Sequence, residues 1–283
     1  MADPEPIAAE GLGELPIVRR EISVPRLREK SMLGVRRAAA FLGIGISTAT
    51  SGSPRLALTD QSAWRFFPDP APEELTREAV EEFIIWVIGN AIRELDSHFS
   101  GFLDEVWLAC EFAKLHGTEV AADFAPKGID QKTNAASKFE IVLRALDSAN
   151  DDTGALRSLS AARNSLSHSH GVVTDRYTNL KGALEVRWLG LEARLQQGDT
   201  YIVIGASPGD FGIQAPDPSL GATVQVVVVE RTKKFAVGQR ITLAPLDLHE
   251  ICFFYMHLTE RVLDALQDYL RRQGILAHEV ANT

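Results

Sequence analysis

One change of hydrophobic period constrains this chain more than any other feature of it. Through Ser169 apolar residues recur at helical spacing. Then Ala183-Leu-Glu-Val-Arg-Trp-Leu-Gly-Leu alternates, Tyr201-Ile-Val-Ile alternates again, and Thr223-Val-Gln-Val-Val-Val-Val is β-branched. Glycine and proline punctuate these runs, which suit half-buried strands, so residues 181–243 are expected to form a small antiparallel sheet. At Asp247 the helical spacing returns, with Ile251, Phe254, Leu258, Val262, Leu266 and Leu270 on one side through Arg272. The expected fold class is α+β, predominantly α: a helical bundle with an antiparallel β insert before the C-terminal helix. The chain divides into an N-terminal extension with one helix (1–70), a helical core (71–180), the β insert (181–244) and a last helix that completes the core (245–275).

Within the helical part, the pattern predicts a short strand at Ile17 to Val24 and a helix from Arg26 to about Ile46, with basic residues on one face. Ser51-Gly-Ser-Pro54 and Phe67-Pro-Asp-Pro-Ala-Pro72 are strong breaks. The stretch from Glu73 to Gly117 reads as two helices, with Asp96-Ser97-His98 and Ser100-Gly101 as their joint. Trp86, Trp107 and the phenylalanines at helical spacing are expected in the core; Trp188 and Tyr201 are expected to face inward, the alternative being an exposed aromatic beside Arg187 that stacks a base. Another helix fits Ala135 to Ser148. Asp151-Asp152-Thr153-Gly154 can cap the next, which would stop at Gly171.

Apolar residues make up 45% of the 283 and charged residues 24%, enough to bury a core without covalent staples. Cys110 and Cys252 both sit in apolar surroundings, which implies a reducing compartment and no disulfide framework. The acidic, proline-bearing start does not read as a signal peptide, and the Ala38–Ala49 run is too polar and too short to span a bilayer. A cytoplasmic protein with no membrane partner is expected. The formal net charge of −9 argues against broad electrostatic binding of nucleic acid, although Arg157, Arg163, Arg176, Lys181 and Arg187 cluster in sequence.

The helix from Thr153 to Ser169 carries the chemistry-bearing side chains. At about 100° per residue, Leu156, Leu159, Ala162 and Leu166 gather on one side. Asn164 and His168 lie one turn apart on the opposite, polar side, and Ser160 and Ser167 lie between the faces. Arg163 falls at the margin of the apolar stripe, about 140° from His168. One helix therefore does not easily present Arg163 and His168 to a common substrate, whereas two copies related by a two-fold axis could.

Arg163-Asn164-Ser-Leu-Ser-His168, followed by Ser169-His170-Gly171-Val172-Val173, resembles the signature of the HEPN superfamily: arginine, a polar residue and, after a spacer, histidine near a helix end. The likeness covers 73–175 and the final helix, including the texture of the hairpin at Glu82 to Leu115. It implies a homodimeric, metal-independent endoribonuclease, a type that includes toxins and antiviral defence effectors, with RNA as substrate and a cognate antitoxin or regulator as partner. The alternative is a catalytically inactive HEPN-like dimeric binding or sensor module.

The residues suit that chemistry. RNA is cut when its 2′-hydroxyl attacks the neighbouring phosphate, which needs a base working near neutrality and a cation for the phosphorane. His168 and Arg163 supply these. Asn164 could orient His168 or hold a phosphate, and His170 could be a second acid. Ser167, Arg157 and Arg176 join His170 as candidate substrate-binding groups. No cofactor or metal is required. The plainer reading is that Arg163 bonds helix-end carbonyls while His168 caps the helix. Gly205-Ala-Ser-Pro-Gly209 matches a nucleophile elbow, but Pro208 lacks the N–H an oxyanion hole needs, so a turn is expected. Asp210-Phe-Gly212 lacks every companion motif of a kinase.

Overall fold

The computed structural model describes residues 21–51, 56, 67, 68, 70–118, 126–149, 152–204 and 221–275. In chain order they form α1 (Val24–Thr50), α2 (Glu73–Lys114), α3 (Ala135–Ala145) and α4 (Thr153–His168). A 3-10 turn at Asp175–Tyr177, strands β1 (Ala183–Gln197), β2 (Thr200–Val203) and β3 (Thr223–Ala236), and α5 (Pro245–Arg272) follow. The fold is α+β, predominantly α, with a small antiparallel sheet inserted before the last helix. Gly205–Gly209, Asp210–Gly212 and residues 17–20 of the strand expected at 17–24 lie outside the described residues; residues 21–23, which are described, form no strand. Val24 itself already opens α1, where the Ser23 hydroxyl accepts from Arg26 N and Pro25 pre-sets the first turn.

The largest departure from expectation is α2. It runs unbroken for 42 residues across the anticipated joint. Ser97, Ser100 and Gly101 are weak helix formers, but propensity is a fraction of a kcal/mol per residue and tertiary burial overrides it. Leu95, Phe99, Phe102, Leu103 and Val106 form one continuous stripe through that point, each at most 2% exposed. Phe99 packs there against Phe102, Phe139 and Tyr255. Trp107 is half-buried, its indole donating to Lys127 O at 3.0 Å. Trp86 is not in the core: it is 63% exposed.

α1 lies along α2 through small residues. A Cβ placed on Gly34 would overlap His98 Cβ, and one on Gly45 would come 2.9 Å from Val87 Cγ1, whereas Gly43 has open space around it. Gly34→Ala is therefore expected to destabilise by about 2 kcal/mol through overpacking. Gly43→Ala, on the same helix, should stabilise by up to about 1 kcal/mol from helix propensity alone. Urea midpoints of the two variants check this. Equal midpoints would mean that α1 is not held at Gly34.

The sheet order is β2-β1-β3, and β1 pairs with β3 from Ala183↔Ala236 to Gln196↔Thr223. Leu184, Val186, Trp188 and Phe235 turn inward and join the core that α2, α4 and α5 share. The Trp188 indole donates to Glu250 Oε2 at 3.0 Å, and Arg231 donates to Glu250 Oε1 at 3.2 and 3.3 Å. Trp188 thus faces inward as expected, but Tyr201 does not: it is exposed, with the Arg194 guanidinium over its ring. Every apolar position expected along α5 is buried. Burial pushes the Cys110 thiol up to about 12 and the Cys252 thiol up to about 11, which leaves both as inert core groups. Among the described residues no helix is long and apolar enough to cross a membrane.

Candidate active site

α4 buries Leu156, Leu159, Ala162 and Leu166, the stripe its spacing defines. Its N-terminal Asp152 does not cap the helix with its side chain; that carboxylate pairs with Arg261 of α5 instead. α2 lies against α4 and runs antiparallel to it. Asp96 meets Ser160 and Arg163, Gly89 sits under Leu166 and Ser167, and Glu82 reaches His170. Gly89 allows the close approach, since a Cβ there would come 3.2 Å from Leu166 Cβ.

Arg163, at the margin of the stripe, is anchored on both edges. Its Nη1 donates to Asp96 Oδ2 at 3.0 Å, while Nε and Nη2 donate to Asn164 Oδ1 at 3.2 and 2.9 Å. It does not bond helix-end carbonyls. Asp96 is a buried carboxylate, its side chain only 7% exposed. It also accepts from Tyr255 Oη of α5 at 2.5 Å and from Ser160 Oγ at 3.4 Å. Burial raises the Asp96 carboxyl above its ordinary range, against the opposing pull of the Tyr255 hydroxyl, Arg163 and Ser160. Burial and the Asp96 charge push the Tyr255 phenol well up. A pinned guanidinium results, with about a quarter of its side-chain surface open to solvent.

His168 is the last residue of α4; it is exposed and has no hydrogen-bond or ion-pair partner among the described residues. The helix ends on a left-handed pair, His170 at φ 50° and Gly171 at φ 76°, and Gly171 N donates back to Ser165 O at 3.1 Å. Val173 then exchanges backbone hydrogen bonds with Gln239 O and Gly238 N, which ties the helix end to the turn after β3. His170 throws its ring outward, 3.3 Å from Glu82 Oε2.

The structure therefore brings Arg163 and Asn164 into direct contact and leaves Ser167 and His168 exposed on the same end of α4. Asn164 holds Arg163 rather than His168. Arg157 is elsewhere: it lies about 16 Å along the helix axis from His168 and pairs with Glu140 at 2.7 Å. Arg176 sits in the 3-10 turn beside α4, its guanidinium over the Tyr177 ring. Asp96 and Tyr255 belong to the site and were not singled out from the sequence. Among the described residues no group of three or more His, Cys, Asp or Glu side chains is placed to hold a metal ion.

Comparison of the chain with models of known protein families, with curated proteins and with solved structures gives no match.

Proposed function

We propose that this chain is a metal-independent endoribonuclease of the HEPN type, cutting RNA through attack of a 2′-hydroxyl on the adjacent phosphate. The observation that carries this reading is the state of Arg163. Its guanidinium is fixed by a buried carboxylate, and its Nε/Nη2 edge is closed only by the Asn164 amide oxygen. That edge is the fork that grips two oxygens of a phosphate. Asn164 Oδ1 occupies the place of such an oxygen and can yield it to substrate.

In this mechanism His168 takes the proton of the 2′-hydroxyl, and the oxygen closes on phosphorus. The 5′-oxygen of the next nucleotide departs and takes a proton from solvent, matching the one His168 has removed, which leaves a 2′,3′-cyclic phosphate and a 5′-hydroxyl end. Arg163 stabilises the charge that builds on the non-bridging oxygens. Because Arg163 and His168 diverge by about 140° on their helix, the site is completed across a two-fold axis, with one protomer's arginine serving the other's histidine. RNA in the cytoplasm is the substrate. A toxin or antiviral defence role, with a cognate antitoxin or regulator, fits such an activity.

The test is cleavage of labelled single-stranded RNA by wild type, Arg163→Ala and His168→Ala purified in parallel. Loss of a general base removes on the order of 10²–10⁴-fold, and loss of the charge-stabilising donor on the order of 10²–10³-fold. Equal degradation by all three proteins would assign the activity to a contaminant and end the proposal. One observation favours a second reading: the Asp96–Arg163–Asn164 chain already gives Arg163 a structural task. If wild type cuts no RNA while Arg163→Ala still lowers stability, the chain is an inactive dimeric binding or sensor module.

A further inference from the structure

On α2, beside the charged Glu82 that reaches His170 at the end of the motif helix, stand two large exposed aromatic side chains. Trp86 is 63% and Phe83 41% exposed, and their rings lie 6.2 Å apart at an interplanar angle of 21°. Two large aromatic rings held parallel in solvent are an unfavourable use of surface for an isolated protein. Their position is fixed by contacts already described. Glu82 reaches His170, Ile85 lies under Gly171, and Gly89 lies under Ser167. Trp86 is about 60° around α2 from Gly89 and about 40° from Glu82. It therefore forms the bank of α2 that borders the exposed end of α4.

The same stripe continues one and two turns on with Asn90 and Arg93. Arg93 pairs with no carboxylate among the described residues and donates only to Asn90 Oδ1, at 2.6 Å. Because the helices run antiparallel, Arg93 stands level with Asn164 and Arg163. The acidic groups on the other side of Trp86, Glu81 and Glu82, are each paired with Arg240. An unneutralised cation, an amide and a stacked aromatic pair along one line are the elements with which proteins hold single-stranded nucleic acid.

We propose that Trp86, backed by Phe83, is a base-stacking platform for single-stranded RNA, and that Arg93 holds a backbone phosphate between this platform and Arg163. The inference rests on the nuclease reading and extends it: the substrate is an unpaired strand gripped upstream or downstream of the cut by a flat apolar face. A second copy of this chain is the competing occupant. Arg93 is what favours RNA, since a self-docking face would leave it opposed by its own symmetry mate or stripped of solvent without a counter-charge.

The experiment uses a fluorescein-labelled, fully 2′-O-methyl single-stranded RNA, which lacks the attacking hydroxyl and cannot be cut. Binding is read by anisotropy for wild type, Trp86→Ala, Trp86→Phe and Arg93→Ala, with sedimentation velocity on each. Trp86→Ala is expected to weaken binding about ten-fold and Trp86→Phe to restore most of the loss. A matching abasic strand should bind wild type and Trp86→Ala alike, because it has no base to stack. Arg93→Ala should reduce the slope of log affinity against log salt by about one. Unchanged affinity in Trp86→Ala overturns the proposal. So does a Trp86→Ala protein that turns from dimer to monomer and binds the abasic and intact strands with equal losses, which would make the face a self-association surface. Cutting abolished by His168→Ala, beside unaltered binding by Trp86→Ala, sinks the platform alone. Trp86-dependent binding by a wild type that cuts nothing sinks the nuclease alone.

Discussion

Replacing Asp96 with alanine is expected to lower the unfolding free energy by about 3 kcal/mol, the low end of what breaking a buried charged pair costs. The value sits low because about a quarter of the Arg163 side-chain surface is open to water, whereas Asp96 is almost wholly enclosed. Three donors lose their acceptor together: Arg163 Nη1, Tyr255 Oη and Ser160 Oγ. Of these the phenol suffers most, since Tyr255 is 1% exposed and has no water to turn to. Asp96→Asn keeps the shape and one acceptor, so it should cost less. The pH dependence separates the two further. A carboxyl whose folded pKa is raised holds its proton more tightly in the folded state, so its contribution is greatest at acid pH. It declines as pH rises from the unfolded value of about 3.9 toward the folded one. Asn removes that decline, and the wild-type-minus-Asn difference in urea midpoint should shrink as pH rises through this window. A difference that grows instead would mean that the ion pair, and not burial, governs the carboxyl. Asp96→Ala should also lose RNA cutting, since Arg163 loses its anchor. Cutting that survives in a folded Asp96→Ala protein would show that the anchor is irrelevant to the site.

Trp188→Ala is expected to cost about 4 kcal/mol, the usual range for deleting a buried indole. Trp188 is 1% exposed and sits where β1 crosses α4 and α5, so the cavity opens at the root of the sheet. The loss has two parts that a second variant separates. Trp188→Phe retains much of the apolar contact but removes the donor to Glu250 Oε2. Glu250 still accepts from Arg231, so the phenylalanine variant should lose only about 1–2 kcal/mol. Chemical denaturation followed by far-ultraviolet circular dichroism measures both. A loss below about 1 kcal/mol for Trp188→Ala would mean that the sheet is not rooted in the helical core through this side chain.

How much of this was legible depended on what each residue's neighbours in space, rather than in sequence, were doing. The period switch at Ala183 and the α5 stripe were readable because one face of each element is buried along its whole length. The ends of α4 were readable from Asp152-Thr153 and Gly171, although the Asp152 carboxylate went to Arg261. The polar and small residues of Asp96–Gly101 look like a joint in sequence, yet α2 runs straight through them. Asp96 is there to receive Arg163 and Tyr255, both distant in sequence. A signal existed: Asp96 falls on the apolar stripe between Ile92 and Phe99, Arg163 on the apolar margin of α4, and Tyr255 beside Phe254 in the α5 core. Polar groups on apolar stripes of different helices are candidates to meet. Trp86 was misplaced for a simpler reason. Helical spacing locates the middle of a buried arc but not its width, and near its N-terminal end α2 is covered over a narrow arc only.

The unbroken course of α2 has a mechanical corollary. At 1.5 Å per residue its 42 residues make a rod of about 63 Å, with Trp86 about a third of the way along and the Asp104–Lys138 pair in its last third. Had the helix been jointed at Ser100, the two ends could tilt independently. As a single helix it has no hinge at Ser100, so the stretch against which α3 docks and the stretch that carries Arg93 and Trp86 share one continuous backbone.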